Sequence, residues 1–367
     1  MPSLTKATAL AAAVGSGALA QQLTSSHPDL ADFAVYDASF QDILGDSASI
    51  ELIYNATEPL FHEGAVYVAA ADTLFVSSNR IPLPEGQADE STSDQVIRFS
   101  AVTNVSAPAA QDGAAPPAIA VQPLDTSSIV LPNGGALHAG AEGILFTAQG
   151  SKTRPAGIFS IPDPINSPNA SVPVVTSFLG RPFNSPNDVV ANPQDGEDGT
   201  IWFTDPSYGS SQGIRGPPQL PNQVYRHDPA ANATRAVADG LQQPNGLAFS
   251  ADFGALYVTD ASASAEDPAG AATIYRYDVV YDAPGTFLAN KRVFAFAPAG
   301  IPDGIKVDAE GNVWAGTGAG VAVWNEAGDL IGQVTVQGGA SNFGFGGDEK
   351  TVFVLGEKLL WRVRLDI

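Results

Sequence analysis

Apolar runs along this chain are short and rich in Val, Ile, Phe, Tyr and Trp. Gly, Pro, Asn or Asp break them every few residues, which is the pattern of strands joined by turns. Three stretches show it in one form: PNDVVANPQDGEDGTIWFTDPSYG from Pro186, PNGLAFSADFGALYVTDASAS from Pro244, and IPDGIKVDAEGNVWAGTGAG from Ile301. In each, Pro precedes Asn or Asp and a short apolar strand; a polar turn and a second, aromatic and β-branched strand follow. Asn187, Asn245 and Asp303 hold the same register position, 58 residues apart. Weaker copies surround Glu63 (HEGAVYVAAADTLFVSSN), Asn133 (PNGGALHAGAEGILFTAQG) and Asn342 (NFGFGGDEKTVFVLGE), so six units are expected.

Further strand-like segments lie between the copies: VYRHD and TRAVADG, then IYRYDV and RVFAFA, then VAVWNE and IGQVTV. Four short strands per unit, with no convincing amphipathic helix, predict an all-β, six-bladed β-propeller with four-stranded blades. The last copy ends in LLWRVRLDI and lacks a fourth strand, so an N-terminal strand is expected to close the ring; DFAVYD near residue 32 is the candidate. Residues 84–94, 107–119 and 211–223 read as long surface loops. MPSLTKATALAAAVGSGALAQQ has one early Lys, a run of small apolar residues and Ala18-Leu19-Ala20, the layout of a signal peptide. The expected organisation is therefore a signal peptide over 1–20 and one propeller domain over 21–367.

The register position carries the chemistry. In a propeller the innermost strands line a central channel, so Glu63, Asn133, Asn187, Asn245 and Asp303 should meet at one mouth. Aspartate is disfavoured in strands and costly to desolvate without a partner. Pro-Asn-Gly and Pro-Asp-Gly are also ordinary turn sequences, but turn chemistry does not account for His62-Glu63-Gly64 in the same register. Carboxylates and amide oxygens together form a hard-oxygen set suited to calcium, or less selectively to magnesium or manganese. Asn79, Gln149, Asp205 and Asp260 end the second strands and should form an outer ring that orients ligands or binds substrate hydroxyls. Asp205 either faces the site or caps a turn. His62 is expected beside the ligands and His138 in the cavity wall, while His27 and His227 look peripheral.

Composition narrows the partners. Asp and Glu number 39 against 17 Lys and Arg, a formal charge of -22, which disfavours nucleic acid and anionic membrane surfaces. Hydrophobic residues make up 44% and charged residues 15%, a globular balance. No cysteine is present, so neither disulfides nor thiol chemistry is available, and no His/Cys cluster suggests zinc. Sequons at Asn55, Asn104, Asn169 and Asn232 agree with secretion to the extracellular space.

These motifs resemble the SMP-30/gluconolactonase family of calcium-dependent six-bladed propellers. The residues that carry the likeness are HEGAVY (62–67), SPNDVV (185–190), DGTIWFTDPSYG (198–209), QPNGLAFSADFGALYVTD (243–260) and IPDGIKVDAEGNVWAG (301–316). The likeness runs from about residue 30 to the end, and is greatest to the secreted fungal lactonohydrolases, which open aldonate lactones or pantolactone. It implies metal ligands Glu63, Asn187, Asn245 and Asp303, with Asn133 over the substrate; Asn187 and, from the outer ring, Asn79 are expected among the substrate's contacts. The family usually has Pro and Trp where this chain has Ala65 and Tyr67. Vertebrate members carry an arginine where Ser185 stands, so recognition of acid or hydroxyl groups must come from elsewhere, with Arg80 and Arg181 as candidates.

The implied activity is metal-dependent hydrolysis of a small-molecule lactone to its hydroxy acid. Asp303 is expected to act as ligand and as the base that takes the proton of the attacking water, with Asp205 in reserve. Two other readings stay open: an aryl-ester or phosphotriester hydrolase on the same metal site, and a non-catalytic binding propeller. Oligomeric state is not legible.

Overall fold

The computed structural model describes residues 24–83, 95–107, 118–125, 127–138, 143–197, 199–282 and 285–366. The signal peptide expected over 1–20 and the loop over 84–94 lie outside them, as does most of the stretch 107–119. Successive side chains of a strand point to opposite faces, and the second strand of each repeat is buried on both. In Thr200–Asp205, Trp202 packs towards the repeat that follows, while Ile201 and Phe203 pack towards the one before. In Ala255–Ala261, Leu256 and Val258 face backwards and Tyr257 forwards. This double burial is why these strands read as nearly continuous apolar runs rather than as alternating ones.

Among the described residues the strands form six blade sheets and two two-stranded hairpins; within each blade the strands run antiparallel and in chain order from the axis outwards, except where N-terminal strands add to the outer edges of the fifth and sixth, Thr24–Ser25 lying parallel to Ser49–Asn55. The first blade holds Glu63–Val68, Thr73–Ser77, Phe99–Thr103 and Ala120–Pro123; the second, Pro132–Leu137, Ile144–Ala148, Gly157–Ile161 and Val172–Val175. The third holds Val189–Asn192, Thr200–Asp205, Gln223–Asp228 and Ala233–Ala238; the fourth, Pro244–Phe249, Ala255–Ala261, Ala272–Asp282 and Gly285–Phe296. The fifth starts at Ile305–Val307 and runs through Val313–Thr317 and Gly320–Trp324 to Leu330–Val336. The sixth holds Asn342–Phe345, Thr351–Gly356 and Leu359–Arg364. Six hydrophobic clusters fill the six junctions between neighbouring blades, so each blade is held by both neighbours and the expected six-bladed propeller is formed.

Ring closure follows the expected principle with a different strand. DFAVYD does not complete the sixth blade: Ala31–Val35 lies outside the fifth as an extra edge strand, with Phe33 opposite Val334. The fourth strand of the sixth blade is Ser49–Asn55, which sets Ile50 opposite Val363 and Leu52 opposite Trp361. The reason is apolar alternation. SIELIYN sends Ile50 into the core between blades five and six, whereas only Ala31 is buried in ADFAV. A short helix, Ala38–Leu44, links the two strands; Asp37 caps it by accepting the Ser39 amide, and Phe40 is buried against Gly332, where no Cβ would fit. No helix among the described residues is long and apolar enough to cross a membrane.

Candidate functional site

Consecutive inner strands touch around the axis, and their first residues meet at one mouth of the channel. A ring of hydroxyls fixes them there. Ser77 Oγ donates to the Asn133 carbonyl (2.8 Å), Thr147 Oγ1 to that of Asn187 (3.0 Å), Thr204 Oγ1 to that of Asn245 (2.6 Å) and Thr259 Oγ1 to that of Asp303 (2.9 Å). Each hydroxyl belongs to the second strand of one blade and each carbonyl to the ring residue of the next. From the sixth blade Ser341 Oγ donates to the His62 carbonyl at 2.6 Å, while Thr317 of the fifth donates within its own blade to the Gly320 carbonyl at 2.8 Å. The ring was missed in the sequence, although its signal is present: Ser or Thr recurs near the end of the second strand in FVS, FTA, FTD and VTD. Glycine after the ring residue permits the close approach, since a Cβ at Gly246 would lie 2.5 Å from the Asp303 carbonyl oxygen.

With backbones pinned, the side chains point their oxygens inwards. Asn133 Oδ1, Asn187 Oδ1, Asn245 Oδ1 and Asp303 Oδ1 are all buried without a hydrogen-bond partner. Leaving a buried polar atom unsatisfied costs about 1–3 kcal/mol, so four on one axis are a strong departure from ordinary packing. Glu63 sits among them, accepting from Asn342 Nδ2. One donor atom each of His62, Glu63 and Asp303 lie within 4.8 Å of one another. The donor set is mainly hard oxygen, its ring backbones are tied to one another, and its side-chain oxygens are left without partners, so these residues fit a divalent cation of the calcium class.

The electrostatics agree. Burial, then the charges of Asp303 and Asp188, push the Glu63 carboxyl well above the usual carboxylate range. Burial also pushes Asp303 up, against the pull of His62. Two like charges this close in a desolvated site cannot both ionise unless a cation or a shared proton compensates them. Asp188 lies beside the ring, its oxygens accepting the Val189 amide (2.8 Å) and, more distantly, that of Leu247 (3.4 Å); burial raises it too, offset by Lys306.

The outer residues separate into two roles. Both oxygens of Asp205 are engaged, accepting the amides of Asn184 (2.9 Å) and Ser185 (2.8 Å). Asp260 holds the Gln242 and Gln243 amides in the same way, at 2.8 and 2.7 Å. Each aspartate thus fixes the loop that delivers the next ring residue, Asn187 or Asn245. Asn79 Nδ2 instead donates to both oxygens of Glu357 at 3.1 Å, and the His62 Nδ1 pairs with Glu357 Oε1 at 2.8 Å. Burial works against the His62 imidazolium, but Glu357 raises its pKa overall. Glu357 escaped the sequence reading although it ends the second strand of the sixth blade in the register of Asn79, two residues past Leu355 as Asn79 is past Ser77. Tyr208 was also missed. Its hydroxyl donates to the Ala261 carbonyl at 3.1 Å, and burial near Asp303 pushes its pKa up, which keeps it neutral. Gln149 is buried, with its amide on the Leu131 carbonyl. His138 follows the far end of Pro132–Leu137 and is not brought to the mouth. Arg80 and Arg181 are exposed, Arg181 on the hairpin Ser177–Phe178/Arg181–Pro182.

Asp205 gives a pH-dependent prediction. Burial pushes its carboxyl up to about 7, against the Asn184 and Ser185 amides and Arg215. Its pKa is higher in the folded state than in the unfolded one, so its stabilising contribution is full below about pH 4 and is lost as pH rises to about 7, by up to about 4 kcal/mol. The Asp205→Asn variant lacks this loss, so its unfolding free energy should gain on wild type over that window. Denaturant unfolding of both proteins across that range checks this, and parallel pH profiles contradict it.

A family model of the SMP-30/Gluconolactonase/LRE-like region matches residues 62–356. Lactonohydrolase oryL of Aspergillus oryzae is 28% identical over 352 residues, covering 91% of this chain and 74% of that protein. A gluconolactonase of Zymomonas mobilis is 30% identical over 254 residues, 66% of each chain. A solved gluconolactonase from Xanthomonas campestris has a TM-score of 0.69 at 27% identity, over 92% of this chain and 96% of that one. The matched span takes in Glu63, Asn133, Asn187, Asn245, Asp303 and Asn342, the residues that open the inner strands of all six blades, and the chain belongs to the SMP-30/gluconolactonase/LRE-like family.

Proposed function

We propose that this protein hydrolyses a lactone to its hydroxy acid at the channel mouth, with a divalent cation, calcium, held by Glu63, Asn187, Asn245 and Asp303. The observation that carries the reading is the set of unsatisfied buried oxygens on the axis, in a chain of this family. When bound, the cation supplies Lewis-acid stabilisation of the negative charge that develops on the lactone carbonyl oxygen. Asp303 takes the proton of the water that attacks the carbonyl carbon; the ring C–O bond then breaks, and the same carboxyl returns the proton to the departing alkoxide. Asn133 lies over the lactone and, with Asn79, binds its hydroxyls. Asp205 acts as a positioning residue, because both of its oxygens are taken up by the loop before Asn187. Export fits the N-terminal sequence and the exposed sequon residues Asn55, Asn169 and Asn232.

Comparative turnover tests the substrate class. Hydrolysis of glucono-δ-lactone or pantolactone should exceed that of an aryl acetate by at least about tenfold in kcat/KM, a difference of about 1.4 kcal/mol in the barrier. A preference for the aryl ester would move the reading to an arylesterase on the same residues.

A further inference from the structure

The loops after the second strands of the second and third blades, with residues 182–184 between them, build a cavity of about 480 Å³ whose chemistry runs against that of the rest of the molecule. The chain has 39 acids to 17 bases, yet this cavity is lined by Lys152, Arg154 and Arg215 and by no Asp or Glu among the described residues. Prolines wall it, and Asn184, Ser210 and Gln219 add polar groups. Arg215 is fixed in place: Nη1 donates to the Ser151 (3.0 Å) and Arg154 (3.2 Å) carbonyls and Nη2 to that of Phe183 (3.0 Å). Gly150 makes room for it, since a Cβ there would lie 2.6 Å from Nη1. Among the described residues no carboxylate forms an ion pair with any of the three cations; Asp205 acts on Arg215 only through space.

The cavity adjoins the mouth. Asn184 lines it and Asn187 belongs to the ring, and three residues span at most about 11 Å. Ser210 lines it too, and lies two residues from Tyr208, whose hydroxyl is within the field of Asp303 and Glu63. A molecule of charge -22 repels anions. A rigid cationic pocket beside that mouth reverses the local field, and guanidinium groups suit carboxylate and phosphate oxygens.

We propose that this pocket is an anion subsite, which receives the carboxylate or phosphate group of a charged lactone, so that lactones of acidic sugars are preferred over neutral ones. The proposal rests on the lactone-hydrolysis reading for its substrate class, though not for anion binding itself. The same pocket attracts the carboxylate of the hydroxy-acid product, so product anions compete with charged substrates more than with neutral ones.

Two lactones that differ at one end test it: D-glucaro-1,4-lactone, which carries a carboxylate, and D-glucono-1,4-lactone, which does not. In wild type the charged lactone should have the lower KM. Lys152→Glu, which reverses a charge at an exposed position, should raise that KM at least about tenfold and leave the neutral lactone within about twofold. Arg154→Gln should act in the same direction with a smaller effect. Equal KM values for the two lactones, unmoved by either variant, overturn the subsite. If neither lactone turns over, the reaction reading falls and calorimetric titration with inorganic phosphate decides the subsite alone. Binding weakened about tenfold by Lys152→Glu upholds it, and no binding to wild type overturns it.

Discussion

Asp303→Asn should leave a folded propeller with its lactone turnover lowered at least about a thousandfold, close to 4 kcal/mol of barrier. The substitution changes almost no volume, and the residue's backbone is held independently of its side chain: its carbonyl accepts the Thr259 hydroxyl and its amide donates to the Gly316 carbonyl. An asparagine there still presents a carbonyl oxygen to the axis, as Asn133, Asn187 and Asn245 do. It cannot accept a proton from water, and the other described carboxyls around the mouth are engaged, Asp188 by the Val189 and Leu247 amides. Glu63 is bonded to Asn342, Asp205 to two amides, and Glu357 to His62 and Asn79. Thermal unfolding should match wild type while kcat collapses. Retained turnover at saturating calcium would remove Asp303 from the role of base.

Calcium added to chelator-treated protein should raise the thermal midpoint by several degrees. The metal-free site combines four unsatisfied oxygens with two adjacent carboxyls pushed up by burial. A ligand that binds only the native state stabilises it by about 4 kcal/mol at a thousandfold excess over Kd. In a chain longer than 250 residues this corresponds to about 2 °C or less per kcal/mol. Asn245→Leu removes one oxygen at nearly constant volume and should abolish most of the shift. Lys152→Glu, in the neighbouring pocket, should leave it intact. A midpoint indifferent to calcium in wild type would mean that the ring oxygens are met in some other way.

The repeat made the architecture legible because one physical constraint recurs in every blade. An inner strand must begin with a residue that tolerates the turn and serves the axis, and a second strand must be apolar on both faces. That placed Glu63, Asn133, Asn187, Asn245 and Asp303 correctly relative to one another. Closure was legible only in principle, because ADFAV and SIELIYN are both plausible strands and only packing against Val363 and Trp361 distinguishes them. The hydroxyl ring was hidden because a Thr in a strand has an ordinary β-branched reading, and its bond to the next blade exists only once the ring closes. Tyr208 and Arg215 come from a loop outside the repeat's register, where nothing in the sequence sets their direction, whereas Glu357 stands in the register of Asn79, two residues beyond the partner of the ring residue, and was legible there. Asp205 shows the opposite case: its residue type suggested a base, and the two amides it accepts define it as a support for the neighbouring loop.

The most direct test of the central claim is pH-stat hydrolysis of glucono-δ-lactone and pantolactone by wild type, after chelation and again after calcium is restored. Acid release that stops on chelation and returns with calcium is the predicted result. Acid release that continues undiminished without any divalent ion, or none from either lactone with calcium present, would contradict it.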